Sequence, residues 1–563
     1  MNLNGIWKFR LDDDNVGLEE SWITSDDFPS EILVPFALES ELSGIGDRSF
    51  HPCVWYRRTF EIPLEWVGRC VRLNFGAVDY RATVWVNGIV VAWHEGGHTP
   101  FSCDITGALR TAGNVVIVRA EDPPTDRYIP RGKQHWESTP ASIFYARTTG
   151  IWQTVWLEPV AVSHLASVRT TSEIDGTVSI AAKIVEPGPS QVLSISIIDE
   201  GRVLASAISL ADGPRAMIAA TIAEPKLWCP DRPHLYELHL ELHGACGLLD
   251  SVESYFGIRS VGTADGKVLV NGTPVYLKTV LDQGYWPQSN LTPPSDEAIQ
   301  QDIIYTKDLG FNGVRKHQKV EDPRFLYWAD RLGLYVAAEM ANAYLFDEDA
   351  VARMTREWIE VVSRDYNHPS IIIWTPVNES WGVPNLAEKR QQAHLKALYY
   401  LTKSLDQTRL VIDNDGWEHT NVTDLFAVHD YTPTGNELLL RFQNISYGLP
   451  IPLFGKPYDA PGNVYNGSPI LMWEFGGVGY VLPEDIADIP SNSWGYSGVE
   501  SEQQHALQRI RGLYEAIALI PGICGICYTQ LYDVEQEVNG LMTYDRRLKF
   551  DAQFIREINA LLK

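Results

Sequence analysis

Short alternating strands dominate the first part of the chain. Up to about residue 160, runs of β-branched and aromatic residues alternate with turns rich in Gly, Asp, Asn and Pro, as in 80–88 and 114–119. This pattern is typical of an all-β sandwich. From there to about residue 262 the alternating runs, such as 191–198, are more closely spaced, and Pro/Gly-rich connectors separate them. We therefore predict a jelly-roll-like β-sandwich over 1–160 and an immunoglobulin-like β-sandwich over 161–262.

The pattern then changes to short apolar strands that are each followed by a polar loop and a helix. Met354 and Trp358, for example, recur at helical spacing within a helix predicted at 349–367. Repeated strand–helix units predict an α/β fold, a (β/α)8 TIM barrel over 263–563. The eight predicted strands cover 274–280, 311–317, 334–340, 371–379, 409–417, 425–431, 469–476 and 522–530.

Length and charge narrow the range of partners. The chain has 563 residues, with 46 basic and 72 acidic side chains and a formal charge of −26. This negative charge repels polyanions and disfavours binding along a nucleic-acid backbone. The first residues show no basic segment followed by an apolar one, and no uncharged apolar run approaches the ~18–20 residues of a membrane span. We expect a cytoplasmic protein that binds neither nucleic acid nor membranes.

Cysteine usage favours reduced thiols. The seven cysteines are thinly spread, and an odd number does not suit a disulfide framework. Cys524 and Cys527 have the spacing of half a zinc or redox site, but they lie in a run typical of a buried strand, without a second pair to complete four ligands. We interpret both as small apolar residues of that strand.

Polar side chains cluster where the predicted barrel strands end. The active site of such a barrel forms at the carboxyl ends of its strands. Those ends are rich in carboxylates, amides and aromatic rings, more than a structural barrel end requires. From the second strand to the eighth, the candidate residues are Arg315, His317, Glu339, Asn378, Glu379, Trp417, His429, Tyr431, Trp473, Glu474 and Gln530. Asp282 and Trp286 follow the first strand and are candidates for a sugar pocket.

Two glutamates among these residues indicate the chemistry. Glu379 and Glu474 each follow an apolar run, on the fourth and seventh strands, and would face each other across the mouth of a closed barrel. Two carboxyl groups ~5–5.5 Å apart support retaining glycoside hydrolysis, with one as acid/base and the other as nucleophile. A single glutamate could equally cap a helix or pair with an arginine. Two together, with Asn378 beside one and Trp473 beside the other, favour catalysis.

Two other classes of function stay open at this point. His317, Glu339, His429 and Asp430 are metal-ligand types, which leaves a metal-dependent hydrolase as one alternative, although their spacing matches no local metal motif. The other alternative is a non-catalytic carbohydrate-binding protein on the same scaffold. The presence of both glutamates argues against it, since a degenerate site would be expected to have lost one.

Motifs from all parts of the chain point to one family. The stretches concerned are 55–60, 73–88, 94–101 and 149–157 in the first domain, 256–259 at the join into the barrel, and the strand ends around Asn378-Glu379 and Trp473-Glu474. Together they resemble the family 2 glycoside hydrolases, the group of β-galactosidases, β-glucuronidases and β-mannosidases. The resemblance covers the whole chain and implies the three-domain fold.

The resemblance also implies a role for each matching residue. Glu379 would be the general acid/base, and Asn378 beside it would hydrogen-bond the 2-hydroxyl of the sugar. Glu474 would be the nucleophile, Arg315 would keep it ionised, and Tyr431 would donate a hydrogen bond to it. Which glutamate is which rests on the resemblance and not on spacing.

Departures from the family pattern limit the choice of substrate. Where β-glucuronidases carry an Asn-x-Lys motif for the substrate carboxylate, this chain has Glu537-Val538-Asn539. We therefore predict an exo-acting retaining glycosidase with β-galactoside as the first choice. β-Galactofuranoside, α-L-arabinofuranoside, β-mannoside and β-glucuronide are alternatives.

The remaining expectations concern partners. We expect no cofactor and no metal ion, and an oligosaccharide or small glycoside as the partner. Family relatives are often dimers or tetramers, so a homo-oligomer stays open. The loop at 134–140 carries an aromatic ring and charges, and it is either a domain contact or a substrate contact.

Overall fold

The computed structural model describes residues 1–445 and 456–563. The first strands are β1 (Gly5–Leu11), β2 (Ser30–Val34), β3 (Cys53–Phe60), β4 (Cys70–Phe75), β5 (Val78–Asp79), β6 (Arg81–Val86), β7 (Ile89–Glu95), β8 (Phe101–Asp104), β9 (Asn114–Glu121), β10 (Gly150–Ile151) and β11 (Val155–Val160). One antiparallel sheet has the order β2-β1-β3-β9-β6-β7 and another the order β11-β4-β8. Side chains of both, among them Trp7, Tyr56 and Leu157, share one core, so these sheets form a sandwich.

A second sandwich follows. Its strands are β12 (His164–Ser172), β13 (Thr177–Val185), β14 (Val192–Asp199), β15 (Arg202–Leu210), β16 (Arg215–Thr221), β17 (Tyr236–Gly244) and β18 (Gly247–Phe256). They form the sheets β12-β13-β16 and β15-β14-β17-β18. Every second residue of β13, from Val178 to Ile184, is buried, which is the period of a strand with one face in the core. Seven antiparallel strands in two sheets match the predicted immunoglobulin-like fold.

The rest of the chain alternates strands and helices. The strands are β19 (Val261–Ala264), β20 (Lys267–Val270), β21 (Thr273–Val275), β22 (Leu277–Asp282), β23 (Gly313–Lys316), β24 (Tyr335–Glu339), β25 (Ile371–Thr375), β26 (Leu410–Val411), β27 (Phe426–His429), β28 (Ile470–Gly476), β29 (Gly479–Tyr480), β30 (Val499–Glu500) and β31 (Ile523–Thr529). The helices are α1 (Asp296–Asp308), α2 (Pro323–Leu332), α3 (Glu348–Asp365), α4 (Lys389–Leu405), α5 (Gly435–Phe442), α6 (Gln503–Leu519) and α7 (Ala552–Asn559).

Eight parallel strands form the barrel, in the order β26-β25-β24-β23-β22-β31-β28-β27. This is the circular strand order of a TIM barrel. It is open between its fifth and sixth strands, β26 and β27, which share no ladder in the described ranges. Nearly every residue of these strands is buried, as expected for parallel strands that are covered on both faces. The predicted fold class, two β-sandwiches followed by a TIM barrel, is confirmed.

Local signals set the ends of the first barrel helices. Ser295 accepts the backbone N–H of Ala298 at the start of α1, and Asp322 accepts that of Arg324 at the start of α2. Gly333 ends α2 with a φ of 75°, a left-handed conformation that costs glycine little.

Most barrel strands are shorter than predicted, and the fourth and fifth, which lie beside the candidate site, lose four or more residues. The fourth strand ends at Thr375 because Pro376 has no N–H to continue a ladder. The fifth pairs only over Leu410–Val411. The following Asp413 accepts hydrogen bonds from His419 Nδ1 at 2.8 Å and from the Thr420 hydroxyl at 2.7 Å, which turns the chain into a loop.

The chain forms two compact units. One contains 1–123, 149–260 and 364–369, and the other contains 124–148, 261–363 and 370–563. Segment 124–148, which follows β9 in the first sandwich, is therefore part of the same unit as the barrel. The boundaries at 160 and 262 stay a prediction.

Two expectations from composition have a structural counterpart. All seven cysteines are free thiols, and Cys524 and Cys527 lie buried in β31 as predicted. None of the described helices is long and apolar enough to cross a membrane. A cytoplasmic location stays a prediction.

Candidate active site

The ends of four barrel strands, in two neighbouring pairs, and one loop bring charged residues together. Arg315 lies in β23, Glu339 ends β24, His429 ends β27 and Glu474 lies in β28. Glu379 approaches from the loop that follows β25. Because parallel barrel strands all end on one face, residues far apart in sequence meet there.

Glu474 is a buried carboxylate with donors on both oxygens. Its Oε1 accepts from Arg315 Nη1 at 2.7 Å, and its Oε2 accepts from the Tyr431 hydroxyl at 2.5 Å. His429 Nδ1 lies 3.5 Å from Oε2. Burial alone would raise the pKa of Glu474, but the positive charges of His429 and Arg315 outweigh burial and hold this pKa well below its usual value. Glu474 is therefore ionised at neutral pH.

Arg315 is fully buried and orients the polar groups around it. Its Nε donates to Glu339, and its Nη2 donates to Asn378 Oδ1 at 2.7 Å and lies 3.0 Å from Asp415 Oδ2. Burial would lower its pKa, but the neighbouring carboxylates raise it well above the usual value. A guanidinium presents five N–H donors in one plane, so these bonds fix the geometry as well as the charge.

Glu379 stands in a left-handed turn next to this network. Its φ is 52° and that of Ser380 is 62°, conformations that cost a non-glycine residue about 1–3 kcal/mol and that cluster at functional sites. The Glu379 N–H donates to the Asp415 carbonyl at 2.8 Å. The Glu379 side chain is 16% exposed, against 6% for Glu474. Glu379 is thus the more accessible of the two carboxylates.

His429 lies between the two glutamates. Its Nδ1 is 2.9 Å from Glu379 Oε1, and its Nε2 is 3.0 Å from Asp415 Oδ1. Burial lowers its pKa, but the charges of Glu474 and Asp415 outweigh burial and raise the pKa of His429 to about 10. It is doubly protonated at neutral pH and donates from both nitrogens. One oxygen of each glutamate and a ring nitrogen of His429 lie within 4.8 Å of one another.

Three more predicted residues contact this cluster. His317 Nδ1 lies 3.0 Å from Glu339 Oε2, and burial and the nearby positive charges lower the pKa of His317 well below its usual value. The Tyr431 ring stacks on Tyr496 with centres 3.5 Å apart. The Trp417 ring meets His429 edge to face at 5.7 Å.

The side chains of the other predicted residues have no described contact with the carboxylates of Glu379 and Glu474. Trp473 is fully buried, and its carbonyl accepts from Arg315 at 3.2 Å. Gln530 is fully buried and donates to Asn539 at 2.7 Å. No described contact links Asp282 or Trp286 to the glutamate pair. Asp282 accepts from Lys316 at 2.7 Å and from Tyr532, while the Arg546 guanidinium lies 4.0 Å from the Trp286 ring centre.

Segment 124–148 carries a residue that the sequence analysis missed. The Arg131 and Gly132 N–H groups donate to the Asn342 carbonyl at 3.2 and 3.1 Å. A Cβ at Gly132 would lie 2.1 Å from the Gln318 carbonyl oxygen, so only glycine allows this approach. The approach places the next residue, Lys133, against the barrel.

Lys133 is a buried cation beside the glutamates. Burial lowers its pKa, and the charges of Glu537, Glu474 and Glu379 act against that effect. No carboxylate of the described chain forms a salt bridge with Lys133, and its ammonium lies 5.0 Å from the Trp381 ring centre. No motif marks Lys133 in the sequence, although it directly precedes the 134–140 loop.

Glu537 faces Lys133 from the loop after β31. It accepts from the Tyr145 hydroxyl and from Asn539 Nδ2, the latter at 3.0 Å. The Tyr145 N–H in turn donates to the Lys133 carbonyl at 2.9 Å. Burial raises the pKa of Glu537, and the charge of Lys133 opposes that shift. Glu537 appears in the sequence analysis only as a departure from the Asn-x-Lys motif.

Metal binding finds limited support in this geometry. Glu379, His429 and Glu474 form the only group with metal-ligand spacing in the described part of the chain, and a doubly protonated His429 is a poor ligand. The four residues considered as metal ligands in the sequence analysis do not form one cluster in the described structure, since Asp430 pairs with Arg441 at 2.7 Å.

The segment His94-Glu95-x-x-His98 matches a zinc-binding sequence motif but does not have the geometry of that motif. That motif requires both histidines on one face of a helix. Here His94 and Glu95 end strand β7, and Glu95 accepts from Arg81 at 2.9 Å. The His94 ring stacks on Phe101 at 4.6 Å. These residues therefore have a packing role.

Comparisons with known proteins point to one family. Models described as "Glycosyl hydrolases family 2, sugar binding domain", "Glycosyl hydrolases family 2" and "Glycosyl hydrolases family 2, TIM barrel domain" match residues 1–138, 163–259 and 261–434. A β-glucuronidase of Paenibacillus borealis is 27% identical over 412 residues, 67% of each chain. A β-galactosidase of Thermoanaerobacter pseudethanolicus is 27% identical over 394 residues, which cover 67% of this chain and 50% of that protein.

Solved structures share the fold. A β-glucuronidase from Ruminococcus gnavus in complex with uronic deoxynojirimycin superposes with a TM-score of 0.80 at 19% identity, over 99% of this chain and 97% of that one. A β-glucuronidase from an uncultured Clostridium gives a TM-score of 0.80 at 20% identity, over 100% and 97%. At this identity the likeness concerns architecture alone.

Proposed function

Since the chain belongs to glycosyl hydrolase family 2, we propose that it is an exo-acting retaining glycoside hydrolase with Glu474 as nucleophile and Glu379 as acid/base. One observation carries the mechanism. Oxygens of the two carboxylates lie within 4.8 Å of each other. Retaining enzymes have carboxyl groups about 5–5.5 Å apart, whereas inverting enzymes leave about 6.5–9.5 Å for a water molecule.

The reaction then has two steps. A carboxylate oxygen of Glu474 attacks the anomeric carbon while Glu379 gives its proton to the glycosidic oxygen, so the glycosidic bond breaks and a glycosyl ester forms. Glu379, now ionised, takes a proton from water, which attacks the same carbon and releases Glu474. Two inversions retain the anomeric configuration.

The surroundings of each glutamate support this assignment. Glu474 must be ionised before the first step, and Arg315, His429 and Tyr431 all donate to it or lie beside it with positive charge. Glu379 must exchange a proton with the leaving group and with water, and it is the more exposed carboxylate. In this proposal Asn378, held by Arg315, donates to the sugar 2-hydroxyl.

Leaving-group dependence tests the assignment. Glu379→Ala should cost about 10²–10⁴ in kcat/KM on a glycoside with a natural alcohol and far less on a dinitrophenyl glycoside, which needs little protonation. Azide should restore turnover and give a glycosyl azide of retained configuration. Glu474→Ala should lose activity on both substrates, and Glu348→Ala, at an exposed glutamate, serves as the control. Equal losses for Glu379→Ala on both substrates would contradict the acid/base role.

For the glycone we propose a neutral sugar, with β-galactoside first. The Lys133 ammonium lies among the charges of Glu537, Glu474 and Glu379, so a further carboxylate on the sugar would add negative charge to an acidic pocket. A buried cation and a buried carboxylate that act on each other's pKa instead suit sugar hydroxyls, which both accept and donate hydrogen bonds.

β-Glucuronide is the second candidate, and the names of the relatives favour it over galactoside. Most of the similar proteins described above are β-glucuronidases. In that case Lys133, which has no salt-bridge partner in the described residues, would hold the sugar carboxylate.

A panel of nitrophenyl glycosides decides between the two, with Lys133→Met run beside the wild type. Turnover of the β-galactoside but not of the β-glucuronide supports the neutral pocket. Turnover of the glucuronide, lost selectively in Lys133→Met, overturns it. Turnover of a mannoside or a furanoside alone contradicts both the β-galactoside and the β-glucuronide but leaves the neutral pocket and the mechanism intact.

A further inference from the structure

Four aromatic rings form a continuous patch beside Glu379, which we call the aromatic wall: Trp136, Phe144, Tyr344 and Trp381. Ring centres are 4.7 Å apart for Trp136–Phe144 and Trp136–Tyr344, 4.9 Å for Tyr344–Trp381 and 5.6 Å for Phe144–Trp381. Tyr344 is buried, whereas the other three rings are only partly buried. The wall thus presents apolar faces to its surroundings.

The aromatic wall adjoins Glu379, the proposed acid/base. Trp381 follows Glu379 by two residues, and its N–H donates to the Asn378 carbonyl at 2.9 Å, so one tight turn carries both side chains. The charge of Glu379 acts on Lys133, whose ammonium lies 5.0 Å from the Trp381 ring centre. The same charge acts on Tyr344. Three residues near Glu379 are therefore part of the aromatic wall or in contact with it: Trp381, Tyr344 and Lys133.

Packing alone does not account for the wall. Rings that only fasten segment 124–148 to the barrel would be buried, as Tyr145 and Tyr344 are. The Arg127 guanidinium lies 4.5 Å from the Trp136 ring centre and supports that ring. Beyond Trp136 the segment is polar and exposed at 137–139. Ligand-binding sites commonly combine an apolar floor with a polar rim.

The position of the wall relative to the acid decides which part of a substrate meets it. A general acid protonates the oxygen that joins the departing group to the sugar, so the departing group lies on its side. Aromatic faces bind flat rings through stacking and burial. We propose that Trp381, Phe144 and Trp136 form an aglycone subsite that takes a flat ring with an apolar face, either an aryl ring or the C–H face of a second sugar. This inference rests on the proposed function.

The test separates steps in which the aglycone is present from steps in which it has left. For the sugar that the wild type accepts, kcat/KM is measured on the aryl glycoside, a disaccharide and the methyl glycoside. The glycosyl-enzyme is also trapped with a dinitrophenyl fluorosugar, and its release is timed in water alone and with a sugar or an aryl alcohol as acceptor. The variants are Trp381→Ala, the milder Trp381→Leu, and Trp328→Ala on α2 as a matched half-buried control.

Trp381→Ala should lower kcat/KM on the aryl glycoside or the disaccharide about tenfold or more, and slow release to the corresponding acceptor. The methyl glycoside and release to water should stay within about twofold of wild type, as should all rates of Trp328→Ala. A loss confined to the aryl glycoside and the aryl alcohol acceptor would identify an aryl ring as the ligand of the subsite. A loss confined to the disaccharide and the sugar acceptor would identify a second sugar. Equal losses on every substrate and on release to water, or no loss at all, overturn the subsite.

Failure of this inference differs from failure of the proposed function. A folded wild type that turns over no glycoside and forms no trapped glycosyl-enzyme removes the proposed function itself. A wild type that does both, with Trp381 variants that lose no selectivity for the departing group, removes only the subsite. If Trp381→Ala does not fold, Trp381→Leu gives the same comparison with most of the apolar volume retained.

Discussion

Replacing His429 tests the electrostatic origin of the nucleophile's charge. His429 Nδ1 lies 3.5 Å from Glu474 Oε2 and 2.9 Å from Glu379 Oε1. A unit charge at 3.5 Å contributes about 5 kcal/mol to the ionised form at an effective dielectric of about 20. At about 1.4 kcal/mol per pKa unit, His429→Gln should raise the pKa of Glu474 by roughly three units, toward the ordinary glutamate value of about 4.3. Glutamine keeps an N–H donor near Glu379.

The assay is the pH dependence of kcat/KM on a dinitrophenyl glycoside. This leaving group needs no general acid, so the acidic limb reports the ionisation of Glu474 alone. Because a protonated nucleophile is inactive, the variant should lose activity as the pH falls through the raised pKa, while the wild type stays flat over the acidic range in which it remains folded by circular dichroism. His419→Gln, at a buried histidine paired with Asp413 instead, should behave like the wild type. An acidic limb of His429→Gln that coincides with that of the wild type would refute the reasoning.

Three further predictions concern single residues. Tyr431→Phe removes a charge-assisted hydrogen bond to Glu474 worth about 1.5–3 kcal/mol, so kcat/KM should fall about 10- to 150-fold with little change in Tm; an unchanged kcat/KM would mean that the bond is equally strong in the free enzyme and in the transition state. Asp282→Asn leaves Lys316 with one fewer buried carboxylate and should cost about 3–5 kcal/mol in the free energy of unfolding, seen as a lower Tm, while kcat/KM of the folded fraction stays within about tenfold. Loss of activity at an unchanged Tm would return Asp282 to the sugar pocket. A thiol reagent should label Cys246, the exposed cysteine, first and all seven thiols only after unfolding; seven rapid labels in the native protein would contradict the burial of Cys53, Cys524 and Cys527.

The barrel strands and the glutamate pair could be predicted because both depend on local signals. A run of apolar residues marks a strand, and parallel strands of a barrel end on one face, so Glu379 and Glu474 could be placed together without knowing any contact. The position of His429 between them could not, because it depends on how β27 and β28 are offset and on the turn that gives Glu379 a φ of 52°. Such offsets arise from packing and leave no mark in the sequence of either strand.

Asp282 has a partner that strand patterns did not indicate, and its place in the sugar pocket stays a prediction. It follows the first strand, which is the reason to expect it in the sugar pocket. In the structure Asp282 pairs in register with Lys316 of the neighbouring strand, and their side chains form a buried ion pair at 2.7 Å. This ion pair depends on the register between the two strands, which the periodicity of either strand alone does not contain.

In the proposed function, the residues that break the bond and a residue proposed to select the sugar come from different parts of the chain. Arg315, Glu379 and Glu474 come from barrel strand ends, whereas Lys133 comes from a segment inserted in the first sandwich and owes its place to the close approach at Gly132. Similar proteins of this family include both β-glucuronidases and β-galactosidases, so family membership alone does not fix the sugar. Under the proposed function, we expect Lys133 and Glu537 to take part in selecting the glycone. For the same reason, exchange of Lys133 should change which sugar is accepted before it changes how the bond is broken.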